Sequence, residues 1–200
     1  LSRQANSDIE IILLNDGSKD NSLDICLKYQ SDFPDLVLVK TRENKGAVRT
    51  RRELFEAASG EWIWIIDSDD MIADDAVSSI TSFISIHECD MVLFDHHRVS
   101  DKGSVYHKQL EMPDLTVFEG DSKQYLYTKI TESSSLNTLW NKVFKRSCID
   151  FSEDYSYYED VIKGNDCLQI IPILTNARRI IYYQKPLYYY NIINMPISFF

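Results

Sequence analysis

No window of about 18 uninterrupted apolar residues occurs in the 200-residue sequence, and no charged-then-apolar leader opens it. Neither a membrane span nor export is expected. The four cysteines, Cys26, Cys89, Cys148 and Cys167, form no CxxC pair and have no histidine at zinc-binding spacing, so thiols packed in a reducing compartment are the simplest expectation. Basic residues are scarce: 21 Lys and Arg face 31 Asp and Glu, a formal net charge of −10. Phosphate backbones demand basic surfaces, which excludes a general nucleic-acid binder. The phosphate-binding run GxxxxGK followed by Ser or Thr is absent, and so is GxGxxG, which disfavours a P-loop hydrolase or a dinucleotide enzyme. No repeat, low-complexity tract or clear linker interrupts the chain. A cytoplasmic protein is expected, and peripheral attachment at the inner face of a membrane is compatible with this.

Hydrophobic content of 44 % and charged content of 26 % are ordinary for a globular protein. A chain of this length buries roughly 70 % of its unfolded surface. The first half alternates. "IEIILL" (9–14) reads as a strand, "NDGSKD" as a loop, and "NSLDICLKYQ" as a helix carrying Leu23, Cys26 and Leu27 at helical spacing. "LVLVK" (36–40) is a second strand, 47–58 a second helix, and "WIWII" (62–66) a third strand. A helix over about 74–87 follows, with Asp74 or Asp75 suited to cap it, and then the strand "DMVLF" (90–94). The pattern predicts an α/β fold with a mostly parallel doubly wound sheet, flanked by helices. Beyond residue 95 a hairpin turns at Asp101–Ser104, 120–130 and 158–174 look helical, and "RRIIYYQKPLYYYNII" reads as two short strands broken at Pro186. This less regular part is expected to pack as a smaller subdomain. The chain then reads as one domain over 1–200, with halves at 1–95 and 96–200.

Ligands of such sheets sit beyond the carboxyl ends of the strands. Two acidic loops fall there: "NDGS" (15–18) and "DSDD" (67–70). Asp67 and Asp69, one residue apart at a strand end, suit a hard cation such as Mg²⁺ or Mn²⁺. Solvated acids, with Asp70 capping the next helix, are an equal alternative on spacing alone. Lys40, Arg42, Lys45, Arg49, Arg51 and Arg52 fall within thirteen positions just before that strand. They mark a side for an anionic diphosphate, or, for at least half of them, a solvated helix face. Glu159 and Asp160 open a predicted helix, where acids suit the dipole, and a carboxylate there would also serve as a general base. Eight of the twelve tyrosines follow residue 150. Packing is their ordinary role, although aromatic faces also suit sugar rings. His96 and His97 point to opposite faces of a strand and share no metal, so the histidines are read as structural.

Four runs, "IEIILLNDGSKDNSLDIC", "ENKGAVRTRRELFEAASGEWIWIIDSDDMI", "LWNKVFKR" and "YYEDV" with the later "KPLYYY", together resemble the family 2 glycosyltransferases of the GT-A fold. The resemblance covers most of the chain. It implies an inverting, metal-dependent, hexosyltransferase-type enzyme that moves a sugar from a nucleotide-diphosphate sugar to a saccharide or lipid-linked saccharide acceptor, in cell-surface polysaccharide or glycan synthesis. Asp16 would contact the nucleobase, with Arg51 on the same nucleotide. Asp67 would lie near the ribose, and Asp69 would hold Mn²⁺ or Mg²⁺ on the diphosphate. Asp160 would be the catalytic base, with Glu159 and Trp140 on the acceptor side. The sequence departs from the family twice. It starts at "LSRQANSD", inside the helix that follows the usual first strand, and it has "TRR" where the family has "ARN". A nucleotide-sugar-binding domain without turnover, and an aspartyl-nucleophile phosphatase built on the DxD, are the competing readings.

Overall fold

The computed structural model describes residues 4, 8–100, 102–132, 136–152 and 164–192. Two compact units emerge, one formed by 1–63 with 145–176 and the other by 64–144 with 177–200.

The first unit carries β1 (Ile11–Asp16) and β2 (Val37–Arg42), paired in parallel with Ile11 opposite Val37, and α1 (Ser22–Asp32) joins them. A parallel pair requires such a crossover, and the apolar runs supply both strands. Helix α2 (Ala47–Ala57) buries Val48 and Phe55, seven positions apart and so on one face of the helix. Helix α5 (Asn165–Asn176) buries Ile170, Ile173 and Leu174 at helical spacing. By contrast, α1 buries no residue, and Ile25, Leu27 and Tyr29 are exposed on it. The helical spacing of Leu23, Cys26 and Leu27 therefore did not translate into an inward face.

The second unit is organised by β5 (Met91–Ser100), whose Met91, Val92, Leu93 and Phe94 have no exposed surface. Its sheet has seven strands in the order β3-β8-β5-β9-β4, with β6 on β5 and β7 on β9. Here β3 is Trp62–Trp64, β4 Met71–Ile72, β6 Val105–Lys108, β7 Val117–Glu119, β8 Lys142–Lys145 and β9 Arg179–Ile192. The chain passes from one unit to the other three times, within β3, at the end of β8 and between α5 and β9. Helices α3 (Ala76–Ile86) and α4 (Gln124–Glu132) bury Ile80 and Phe83, and Leu126 and Ile130.

The α/β class and GT-A-like architecture are borne out. The parallel pairings are β1 with β2 and β5 with β9, whereas β4, β6, β7 and β8 pair antiparallel to their neighbours. Strands of two to four residues give too little periodic signal to be read from sequence, and β4, β7 and β8 escaped the sequence reading for that reason. The expected hairpin joins β5 and β6, with Gly103 at φ 76°; Asp101 lies outside the described residues. The expected break at Pro186 is not: β9 is one strand of 14 residues. A register irregularity opposite Phe94, Asp95 and His96 lets Pro186, which has no N–H, sit within it. The strand "WIWII" ends at Trp64, two residues early. Among the described residues no helix is long and apolar enough to cross a membrane.

Candidate active site

In the first unit, Asp16 closes β1 at the "NDGS" loop. Its Oδ1 accepts from the Lys45 N–H at 3.0 Å and lies 3.1 Å from Arg42 Nη2, and its Oδ2 accepts from the Gly46 N–H at 3.0 Å. These amides belong to the N-cap residue of α2 and the residue before it, so the carboxylate sits just ahead of the positive end of a helix. Gly17 follows at φ 77° and packs so tightly that a Cβ would meet the Asn44 nitrogen at 2.7 Å. Asn15 locks the loop from inside: its Oδ1 accepts from Ser18 N–H, and its Nδ2 donates to Thr41. Arg42, which the sequence offered only as one of six basic residues, joins Asp16, Glu53 and Thr50. Arg51 pairs with Asp166 of α5 at 2.6 Å, and Arg52 pairs with Glu56 and donates to the carbonyls of Asp150 and Phe151. Three of the six bases are thus paired with protein acids. Lys40 and Lys45 are exposed.

In the second unit, the "DSDD" segment is a turn closed by the Asp70 N–H donating to the Asp67 carbonyl at 3.2 Å. Asp69 is exposed at its tip, and Asp67 is half-buried. Asp70 does not start the next helix. Helix α3 begins at Ala76 with Asp75 at the cap position, whose carboxylate takes Lys185 at 2.7 Å and Ser79 at 3.2 Å. Asp70 instead accepts from the Tyr188 hydroxyl at 2.8 Å and from the Asn191 N–H at 2.8 Å. Burial, foremost, holds its carboxyl above the ordinary range, against the two hydrogen bonds that favour its ionised form. The Tyr188 hydroxyl also accepts from the Asp67 N–H at 3.0 Å, and Asn191 Nδ2 donates to the Asp69 carbonyl.

Trp140 reaches the same turn through Tyr188. Its indole stacks on Tyr188 at 4.7 Å and 16° and on Tyr190 at 5.3 Å and 7°, and the buried His96 meets its edge at 4.7 Å. The indole is 5 % exposed, a wall rather than an open platform. The loop that carries it is rigid. Asn141 Oδ1 accepts from Thr138 and Lys142, and the Trp140 carbonyl accepts from Trp64 Nε1 at 2.7 Å. Tyr190 has its phenol raised by burial first, and then by the charges of Asp70, Asp69 and Asp67. His96 and His97 do face opposite sides, one against Trp140 and the other against Tyr189.

Asp160 and Glu159 lie outside the described residues. Among the described residues, no group of three or more His, Cys, Asp or Glu side chains is gathered to hold a metal ion. An exposed Asp69 with hard oxygen donors, one residue from Asp67, fits a Mg²⁺- or Mn²⁺-type ion that takes one or two carboxylates and completes its shell with water and ligand phosphates. None of the four cysteines is in a disulfide; Cys89 and Cys148 are buried and Cys26 and Cys167 partly so. Sequence reasoning missed Tyr188, Asn191 and Arg42 as organisers of the two loops. The run "KPLYYY" drew notice only for its aromatics.

The chain is similar to EpsH of Bacillus subtilis (strain 168), 29 % identical over 96 % of this chain and 55 % of that protein. It is also similar to the poly(ribitol-phosphate) beta-glucosyltransferase of Bacillus spizizenii, 27 % identical over 82 % of this chain and 29 % of that protein. The chain therefore spans about half, or less, of these relatives. Its fold matches the crystal structure of Staphylococcus aureus TarS 1-349 in complex with UDP-GlcNAc, with a TM-score of 0.74 at 20 % identity, over 98 % of this chain and 53 % of that one. Residues 1–150 match the family described as Glycosyl transferase family 2, and the chain belongs to that family.

Proposed function

We propose that this chain is the donor-binding and catalytic part of an inverting glycosyltransferase that moves a hexosyl-type sugar from a nucleotide-diphosphate sugar to a hydroxyl of a saccharide or lipid-linked saccharide acceptor. The observation that carries this reading is the "DSDD" turn, presented at the end of β3 and fastened to β9, in a chain of glycosyltransferase family 2. UDP-GlcNAc bound to the fold neighbour makes UDP-sugars the first donors to try, and the glucosyltransferase relative is named for poly(ribitol-phosphate). Cell-surface polymer assembly, on the cytoplasmic side, is the corresponding setting.

Asp16 and Arg51 serve the nucleotide in this reading. Both Asp16 oxygens already hold the Lys45 and Gly46 amides, so a nucleobase would use its remaining lone pairs. Asp67 lies by the ribose, and Asp69 holds Mn²⁺ or Mg²⁺, which would neutralise charge on the leaving diphosphate. Asp160 accepts the acceptor's hydroxyl proton as that oxygen attacks the anomeric carbon, Glu159 and Trp140 position the acceptor, and one displacement inverts the centre. None of the observations favours a phosphatase or a domain without turnover. Transfer from a panel of nucleotide sugars with Mn²⁺ is the test. Asp160→Asn should abolish transfer while donor binding stays within about twofold, and Asp69→Ala should weaken metal-dependent donor binding by at least about tenfold. A chain that neither binds nor consumes any donor overturns the proposal.

A further inference from the structure

Tyr188 has no exposed surface, and its hydroxyl uses both of its principal bonding roles on one turn. The turn needs such a support. Its own closure is a single 3.2 Å hydrogen bond, its tip is exposed, and three carboxylates within four positions repel one another. Two residues of β9 answer this. Tyr188 supplies a neutral donor to Asp70 and an acceptor to the Asp67 amide, and Asn191 supplies its amide N–H to Asp70 and its side-chain amide to the Asp69 carbonyl. The Tyr188 ring is also the surface on which Trp140 stacks.

We propose that Tyr188 is a positioning residue for the donor loop. Its hydroxyl fixes the turn so that Asp67 and Asp69 are held in one arrangement, and its ring places the acceptor-side Trp140 against that same turn. Tyr188 touches no substrate in this role. Because the phenol is buried, water does not replace it in Tyr188→Phe, and the Asp67 N–H and one Asp70 oxygen lose a partner together. The inference that an ordered turn improves nucleotide binding rests on the function proposed above, whereas the ordering itself does not.

The experiment therefore has two arms. In the ligand-free chain, amide hydrogen exchange across residues 65–72 should quicken on the order of tenfold in Tyr188→Phe. Tyr182→Phe is the control: it removes another buried β9 phenol, one that donates to Asp95 at 2.6 Å, and should lower stability while leaving exchange at 65–72 unchanged. In the second arm, binding of UDP with Mn²⁺ should weaken on the order of tenfold in Tyr188→Phe, whereas binding of UMP, which keeps the ribose beside Asp67 but lacks the diphosphate, should weaken less. Asn191→Ala, which removes only the bond to the Asp69 carbonyl, should shift both readouts in the same direction and keeps the test open if Tyr188→Phe does not fold. Unchanged exchange in both Tyr188→Phe and Asn191→Ala, or equal effects in Tyr182→Phe, overturns the positioning role. Quickened exchange in a chain whose wild type binds none of UDP, GDP, ADP, CDP and dTDP with Mn²⁺ overturns the proposed function and the binding consequence, and leaves the structural role of the phenol standing.

Discussion

His96 shows how far a residue's surroundings outweigh its type. His96 is 1 % exposed, neither ring nitrogen has a hydrogen-bond partner among the described residues, and burial, then the nearby charges of Arg98, Lys108, Lys142 and His107, push its pKa down to about 3. The unfolded chain binds this proton near pH 6.5 and the folded chain does not. Stability from this group is thus complete above pH 6.5 and falls as the pH drops towards 3. His96→Phe should give a flatter dependence of Tm on pH between 7 and 4 than the wild type. Gly17 carries a second prediction at this scale. Its φ of 77° and the 2.7 Å approach of Asn44 leave no room for a methyl group, so Gly17→Ala should lower stability by about 1–3 kcal/mol in denaturant unfolding. The glycine of "NDGS" was legible as a turn residue. The role of Asp70 was not, because its partners Tyr188 and Asn191 lie 118 and 121 positions further along the chain.

Between elements, the bond from Arg51 on α2 to Asp166 on α5 was not visible in the sequence, since 115 positions separate the partners. Gln169 of α5 adds a second tie by donating to the Val48 carbonyl of α2 at 3.0 Å. Both members of the ion pair are largely shielded, with 12 % and 23 % of their side-chain surfaces exposed. Asp166→Asn should therefore cost on the order of 1–2 kcal/mol of stability. If Arg51 also serves the nucleotide, Arg51→Met should lose both stability and UDP affinity, while Asp166→Asn should lose stability alone; unfolding curves and calorimetric titration separate the two. Helices α2 and α3 and the buried strand β5 were readable because each runs long enough to show a period. β9 was read as broken because proline usually ends a ladder, and only the irregularity opposite Asp95 admits it.

At the scale of the molecule, charge and apolar exposure decide behaviour together. The net charge of −10 vanishes near a sequence pI of about 4.8. In the first unit Ile25, Tyr29 and Phe33 lie four apart on and just beyond α1, each at least 38 % exposed, with Tyr29 and Phe33 stacked at 6.5 Å. Repulsion between copies disappears as the pH falls towards 4.8 while this stripe remains. Light scattering should rise over that range, and Ile25→Lys with Tyr29→Lys should suppress the rise.

Taken alone, the sequence determined the α/β class, the order of its longer elements, the two acidic loops at strand ends and the family to which they belong. These are set by local periodicity and by short runs of fixed spacing, both of which survive without knowledge of what touches what. Only the tertiary structure decided which charges are spent within the protein and which are presented. Asp16, Arg42, Arg51 and Asp70 all find protein partners, while Asp69 stands exposed at the tip of its turn. Those choices depend on which segments distant in the chain become neighbours, and a residue's type and spacing do not encode its distant partner.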